Sequence, residues 1–269
     1  MLRVEKGGLE MKKTWLLALV LLGIPALGQS SFDGTWRLEM QKAQFEGVHK
    51  MLLKDGVYDC ATCDPPIQGF KADGQPHPTS GSPYYDTVVV RVLDDRTVEM
   101  SATKNGKLSG RAKETVSADG STLTIHDSFT SEDGKENSMT EVWKRTGEAP
   151  AGANKISGTW QQEKIEGASR SLTTITYKAT PDGLTMRDGT GDSYDAKFDG
   201  NEYPYKGDPG VTSVSLKKID ANTVEETDKR NGKVVSVARM TVEPGGKTMK
   251  ITIQDKVNNT AESMIASKE

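Results

Sequence analysis

Along most of the chain, apolar and polar side chains alternate with a period of two. Leu123 and Ile125 alternate with Thr122, Thr124 and His126, and Met249, Ile251 and Ile253 alternate with Thr248, Lys250 and Thr252. Val88, Val90 and Val92 share one face of another run, as do Val214 and Leu216. One apolar face and one face of Thr, Ser and Lys describes β-strands with a single buried side. The runs break at Asp55-Gly56, Asn105-Gly106, Asp119-Gly120, Asp133-Gly134, Asp182-Gly183, Asn231-Gly232 and Gly245-Gly246. Asn-Gly is a strong hairpin signal, because both central positions of that tight turn need positive φ. No helical run exceeds a turn or two. The pattern predicts an all-β, antiparallel meander with about eight strands per unit.

The unit occurs twice. Gly34-Thr35-Trp36 recurs as Gly158-Thr159-Trp160, and Lys71-Ala72-Asp73-Gly74 recurs as Lys197-Phe198-Asp199-Gly200. From there to Ile125 and Ile251 the copies align without a gap at an offset of 126. Thr97-Val98-Glu99 matches Thr223-Val224-Glu225, and Asn105-Gly106-Lys107 matches Asn231-Gly232-Lys233. Residues 148–154 (Glu-Ala-Pro-Ala-Gly-Ala-Asn) have a linker's composition. The expected organisation is a signal region over 1–28, one β-barrel repeat over 31–147, a linker over 148–154 and a second repeat over 155–269.

The N-terminal segment changes the picture from a generic β protein to an exported one. Lys12 and Lys13 precede the apolar stretch Trp15–Leu22, and Ala26-Leu27-Gly28 supplies small residues where a signal peptidase would cut. The stretch is too short for a stable membrane span. Met11-Lys12-Lys13 reads as the true translational start. The expected location is therefore periplasmic or extracellular, with no stable membrane span after cleavage.

Gly-Thr-Trp on the first strand, followed by a run of hairpins, resembles the calycin superfamily of lipocalins and fatty-acid-binding proteins. Glu141-Val142-Trp143-Lys144-Arg145 resembles that family's last strand, which closes the barrel onto the first. The resemblance implies that Trp36 and Trp160 pack across the closed ends of two barrels and that a small, partly apolar ligand binds inside. The inward residues it implies are Trp36, Val88, Val90, Met100, Leu123 and Ile125 in the first copy. In the second they are Trp160, Val214, Leu216, Met240, Met249 and Ile251. The chain departs from the family in leaving no room for a helical lid, and the second copy ends without a counterpart of Trp143 and Arg145.

Charge and candidate chemistry narrow the function further. The net charge is −3, and removing residues 1–28 leaves 31 basic against 36 acidic side chains, or −5. Without a basic stripe, nucleic acid is not an expected partner. The two cysteines, Cys60 and Cys63, lie in one short loop. In an exported chain they read as a local disulfide rather than a redox or zinc site. A metal would need further ligands, with only His77 near in sequence, and none is expected. His49, His77 and His126 have no histidine at the matching positions of the second copy, so no ancestral duplicated active site rests on them. Asp73 and Asp199 read as turn formers. No catalytic residue and no cofactor is expected. The reading is a non-enzymatic, lipocalin-like binding protein. Its rivals are a structural or protein-interaction module of the cell envelope with solid-packed barrels, and thirdly a barrel isomerase or cyclase. Ligand and oligomeric state stay open.

Overall fold

The computed structural model describes residues 30–269 apart from 64, 132 and 133, so the signal region, the Met11 start and Asp133 lie outside the described residues. The first half contains β1 (Gly34–Leu38), β2 (Gln44–Phe45), β3 (Val48–Lys54), β4 (Val57–Cys60), β5 (Ile67–Lys71), β6 (Asp73–Pro78), β7 (Thr87–Val92), β8 (Thr97–Lys104), β9 (Lys107–Val116), β10 (Thr122–Thr130), β11 (Glu136–Gly147) and β12 (Gly158–Ala168). The second contains β13 (Thr174–Ala179), β14 (Gly183–Asp188), β15 (Ser193–Lys197), β16 (Tyr203–Lys206), β17 (Ser213–Lys218), β18 (Thr223–Arg230), β19 (Lys233–Val242), β20 (Thr248–Asp255) and β21 (Thr260–Lys268). The only helical pieces among the described residues are two short 3-10 turns, Met40–Lys42 and Arg170–Thr173.

The strands form two antiparallel, barrel-like sheets. Barrel 1 runs in the order β5-β4-β3-β12-β11-β10-β9-β8-β7-β6 and stays open between β5 and β6. Barrel 2 runs β1-β13-β14 and onward to β21, and closes where β21 pairs back onto β1. The alternation predicts the buried faces well. Val88, Val90, Leu123 and Ile125 sit in one core, and Val214, Leu216, Met249 and Ile251 in the other. At the Asn105-Gly106 and Asn231-Gly232 hairpins all four residues have positive φ, the geometry that turn requires.

The repeats and the barrels do not coincide. β1, from the first repeat, pairs with β13 and β21 of the second, with Trp36 opposite Ile175 and Lys268. β12, which carries the second repeat's Gly-Thr-Trp, pairs with β11 and β3 of the first, with Trp160 opposite His49. Each barrel is therefore completed by the other repeat's first strand. Residues 148–154, expected as a linker between domains, instead belong to the 148–157 connection of β11 to β12 within barrel 1. Gly-Ala-Pro composition suits an irregular strand connection as well as an interdomain spacer, so composition alone could not distinguish them.

The chain leaves barrel 2 after β2, which still pairs with β21, and returns to it over residues 169–173. Arg170 of that return and Arg37 of β1 both ion-pair with Glu269, at 2.8 and 3.0 Å. The Tyr84 hydroxyl, from the loop before β7, lies against Gly210 of barrel 2, and residue 210 is the repeat counterpart of 84. Reciprocal strand exchange with equivalent positions meeting is the geometry of a domain-swapped two-fold pair, here within one chain.

Candidate functional site

Each barrel buries one tryptophan of the repeated Gly-Thr-Trp motif in its core. Trp36 and Trp160 are fully buried, and each indole N–H donates to the backbone carbonyl four residues earlier, Phe32 or Ile156, at 2.8 Å. A cation from the last strand covers each ring: Arg145 over Trp160 and Lys268 over Trp36. Lys268 thus occupies the place for which the second copy's sequence had no arginine. Gly158 is required two residues before Trp160, because its φ is +131° and a Cβ there would come within 2.5 Å of an Arg145 nitrogen.

The interiors also contain carboxyls. In barrel 1, Ile125 lies opposite Glu114 on β9 and Glu141 on β11, so all three face inward. Asp127, two residues on, shares that face opposite Ala112 and Met139. Glu114 is 1% exposed. Burial, with Asp127 adding to it, pushes its carboxyl up to about 8. Burial also pushes Asp127 up to about 6 and, assisted by Asp127, Glu141 up to about 7. Glu141 accepts a hydrogen bond from Trp143 Nε1 at 3.0 Å. Tyr58, on β4, is fully buried, and its hydroxyl and Glu114 Oε2 have no hydrogen-bond partner. Burial, then the Glu114 charge, raises the Tyr58 phenol well above its ordinary range. Buried polar atoms are nearly always paired, so these two orphans, which act on each other electrostatically, are exceptions within the interior of barrel 1.

Barrel 2 arranges the same chemistry differently. Glu226 occupies the counterpart of Met100, and Met240 the counterpart of Glu114. The Tyr194 hydroxyl donates to Glu226 Oε2 at 2.5 Å, and Ser236 donates to Asp228 Oδ2 at 2.6 Å. Burial raises Glu226 to about 8 and Asp228 to about 6, and the nearby Asp228 charge adds to the first shift. Glu226 is thus answered from within the protein, whereas Glu114 is not.

All twelve residues expected to face inward are in or against the two cores; Met100 alone is only half-buried. Trp36, however, belongs to the core of barrel 2 and Trp160 to that of barrel 1, a consequence of the strand exchange. The acidic residues among them were not anticipated. Their signal was present: Ala112, Glu114 and Val116 fall in one phase of the alternation, which places Glu114 inside.

Cys60 and Cys63 form the expected disulfide. The histidine beside it is His49 rather than His77. Its Nδ1 lies 3.2 Å from Thr62 Oγ1 and its ring 5.5 Å from Trp143, and burial lowers its pKa to about 4. Donor atoms of His49, Cys60 and Cys63 lie within 4.8 Å of one another, but sulfurs bonded to each other are not thiolate ligands. His77 instead contacts Asp73 at 2.8 Å, and Asp73 caps its own turn through Gln75 N–H. His126 bonds Thr140 on an exposed face.

Fold and interior together define a class: a pair of strand-exchanged antiparallel barrels with buried tryptophans and acid-bearing cores. No family model matches the chain, and no curated protein matches it. Among the described residues, no helix is long and apolar enough to cross a membrane.

Proposed function

We propose that this protein is an exported, non-enzymatic, lipocalin-like binding protein that takes a small, partly apolar molecule inside a barrel. The observation that carries this reading is the pair of buried, unpartnered polar atoms, Glu114 Oε2 and the Tyr58 hydroxyl. They lie among apolar walls that include Val90, Met100 and Ile125. Leaving such groups unpaired costs about 1–3 kcal/mol each, a cost that a ligand's polar end would remove. Export rests on the N-terminal pattern and fits the disulfide. Native mass spectrometry of mature protein purified from its own host should show a retained small molecule. Bare protein at every charge state, from several growth conditions, would overturn the reading.

The alternative is an envelope interaction module with filled barrels. The observation favouring it is that a cleft of about 600 Å³ is lined by the 119–121 turn, the end of β11 and the β11–β12 connection rather than by core residues. Recovery of a stoichiometric protein partner with bare barrels would favour that alternative.

A further inference from the structure

We propose that barrel 1 binds a small amphipathic molecule through a protonated amine, its ammonium held between Glu114 and the Tyr58 hydroxyl and its apolar body against Val90, Met100 and Ile125. The inference rests on barrel 1 being a binding compartment and adds the chemical class of what it holds.

The acceptors present select the class. A carboxylate oxygen and a phenol oxygen are both open, and an ammonium offers three donors on one atom. Asp127 and Glu141 face the same space from β10 and β11, and Tyr58 and Tyr85 supply the remaining titratable groups that act on this cluster. An anionic ligand would be repelled as any of the three carboxyls ionises, and a wholly apolar one would leave the orphans unpaired. A bare metal ion fits poorly. Among the described residues, the one group of His, Cys, Asp and Glu donor atoms close enough to share an ion is His49, Cys60 and Cys63. The three interior acids are not such a group and suit a molecule with reach. Barrel 2 differs: Tyr194 already donates to Glu226, and the unpartnered Asp228 Oδ1 there belongs to a carboxyl that Ser236 already holds, with no orphaned phenol beside it among the described residues, so one amine per chain is expected.

Protonation supplies a signature. Glu114 is neutral below about pH 8, and pairing with an ammonium favours its ionised form. Binding near pH 7 should therefore expel a proton, and affinity should rise as pH increases from about 6 to about 8, where a primary alkylamine stays charged.

The test is calorimetric titration of the mature protein with 2-phenylethylamine, 2-phenylethanol and phenylacetate. The amine should bind once per chain, with a heat that changes with the buffer's ionisation enthalpy as the released proton is absorbed. The alcohol and the acid should bind at least ten-fold more weakly. Glu114→Gln should weaken the amine at least ten-fold and abolish the proton release, and Tyr58→Phe should weaken it several-fold. Outward-facing Glu99→Gln should change nothing. If Glu114→Gln fails to fold, Ala112→Leu, which fills the compartment beside it, should block binding in its place. Amine and alcohol binding equally, with Glu114→Gln indifferent, would overturn the amine assignment and leave the compartment standing. An amine that fails to bind at millimolar concentration also overturns the assignment, and bare protein in the native mass spectra would then remove the compartment as well.

Discussion

The Arg145 guanidinium carbon lies 4.0 Å from the centroid of the Trp160 ring, although the two residues come from different repeats. The same guanidinium donates to the carbonyls of Gly120, Lys155 and Ser157 at 2.6, 2.6 and 2.8 Å. It ties Trp160, the β9–β10 turn and the β11–β12 connection to β11. Arg145→Ala would leave those carbonyls unanswered and remove a cation–π contact, and should cost barrel 1 about 2–4 kcal/mol. Chemical unfolding followed by Trp143 and Trp160 fluorescence measures it. A change below about 0.5 kcal/mol would make the stacking incidental.

Trp36→Ala should destabilise barrel 2, and Trp160→Ala barrel 1, each by about 3–5 kcal/mol, the range for removing a large buried aromatic. The assignment is crossed relative to the repeats. Hydrogen exchange read strand by strand decides it: for Trp36→Ala the loss of protection should appear in β17–β20. Loss confined to β7–β10 would refute the exchange.

Residues 48–168 contain every strand of barrel 1 in unbroken order, so this fragment should fold alone with dispersed amide resonances. Residues 31–147 lack β12 and should not close as a monomer. They should recover native-like signals on addition of a peptide spanning 155–168. A well-folded, monomeric 31–147 fragment would contradict the strand pairing.

The buried carboxyls set a pH dependence. A carboxyl whose pKa is raised on folding stabilises the native state fully below its unfolded value and loses that contribution as pH climbs to the folded value. Glu114 and Glu226, raised to about 8, therefore weaken the fold between about pH 4.5 and pH 8, by up to ~1.4 kcal/mol per pH unit for each group. His49, lowered to about 4, acts oppositely and withdraws stability as pH falls below about 6.5. Thermal melts should show greater stability near pH 5.5 than near pH 8.5, and Glu226→Gln should flatten the alkaline decline. A wild-type melting temperature that rises from pH 5.5 to 8.5 would count against buried, neutral acids.

Free-thiol titration of unreduced protein should find almost no reactive sulfur, since Cys60 and Cys63 are joined. Two titratable thiols would reverse that assignment.

Much of this architecture was legible in the sequence. Period-two alternation located the buried faces at Val88, Val90, Leu123, Ile125, Val214 and Leu216, and Asn-Gly pairs located two hairpins. Strand partnership was not legible. Gly34-Thr35-Trp36 and Gly158-Thr159-Trp160 are near-identical edges, so either can complete either barrel, and only connection length and packing select the exchange. Glu114 and Glu226 escaped notice for a different reason. A search for apolar ligand walls passes over an acid in the inward phase, and Met100 and Met240, at the alternate positions of the two copies, looked complete without it. His49 reaches the disulfide through the pairing of β3 with β4 and β12, a juxtaposition no spacing encodes.

The exchange also imposes an order in time. Arg37 and Glu269, separated by 232 positions, end 3.0 Å apart, and the backbone N–H of Glu269 donates to Thr35. As the chain is made from its N-terminus, barrel 1 has all its strands once residue 168 has emerged. β1, synthesised first, has no partner until β13 appears and no closed barrel until β21 does. Contacts so distant along the chain form slowly. Through that interval β1 is an unpaired edge able to join the barrel of a neighbouring chain. Crowded synthesis should thus yield linked pairs built from the same contacts as the monomer, and dilution during refolding should favour the single chain.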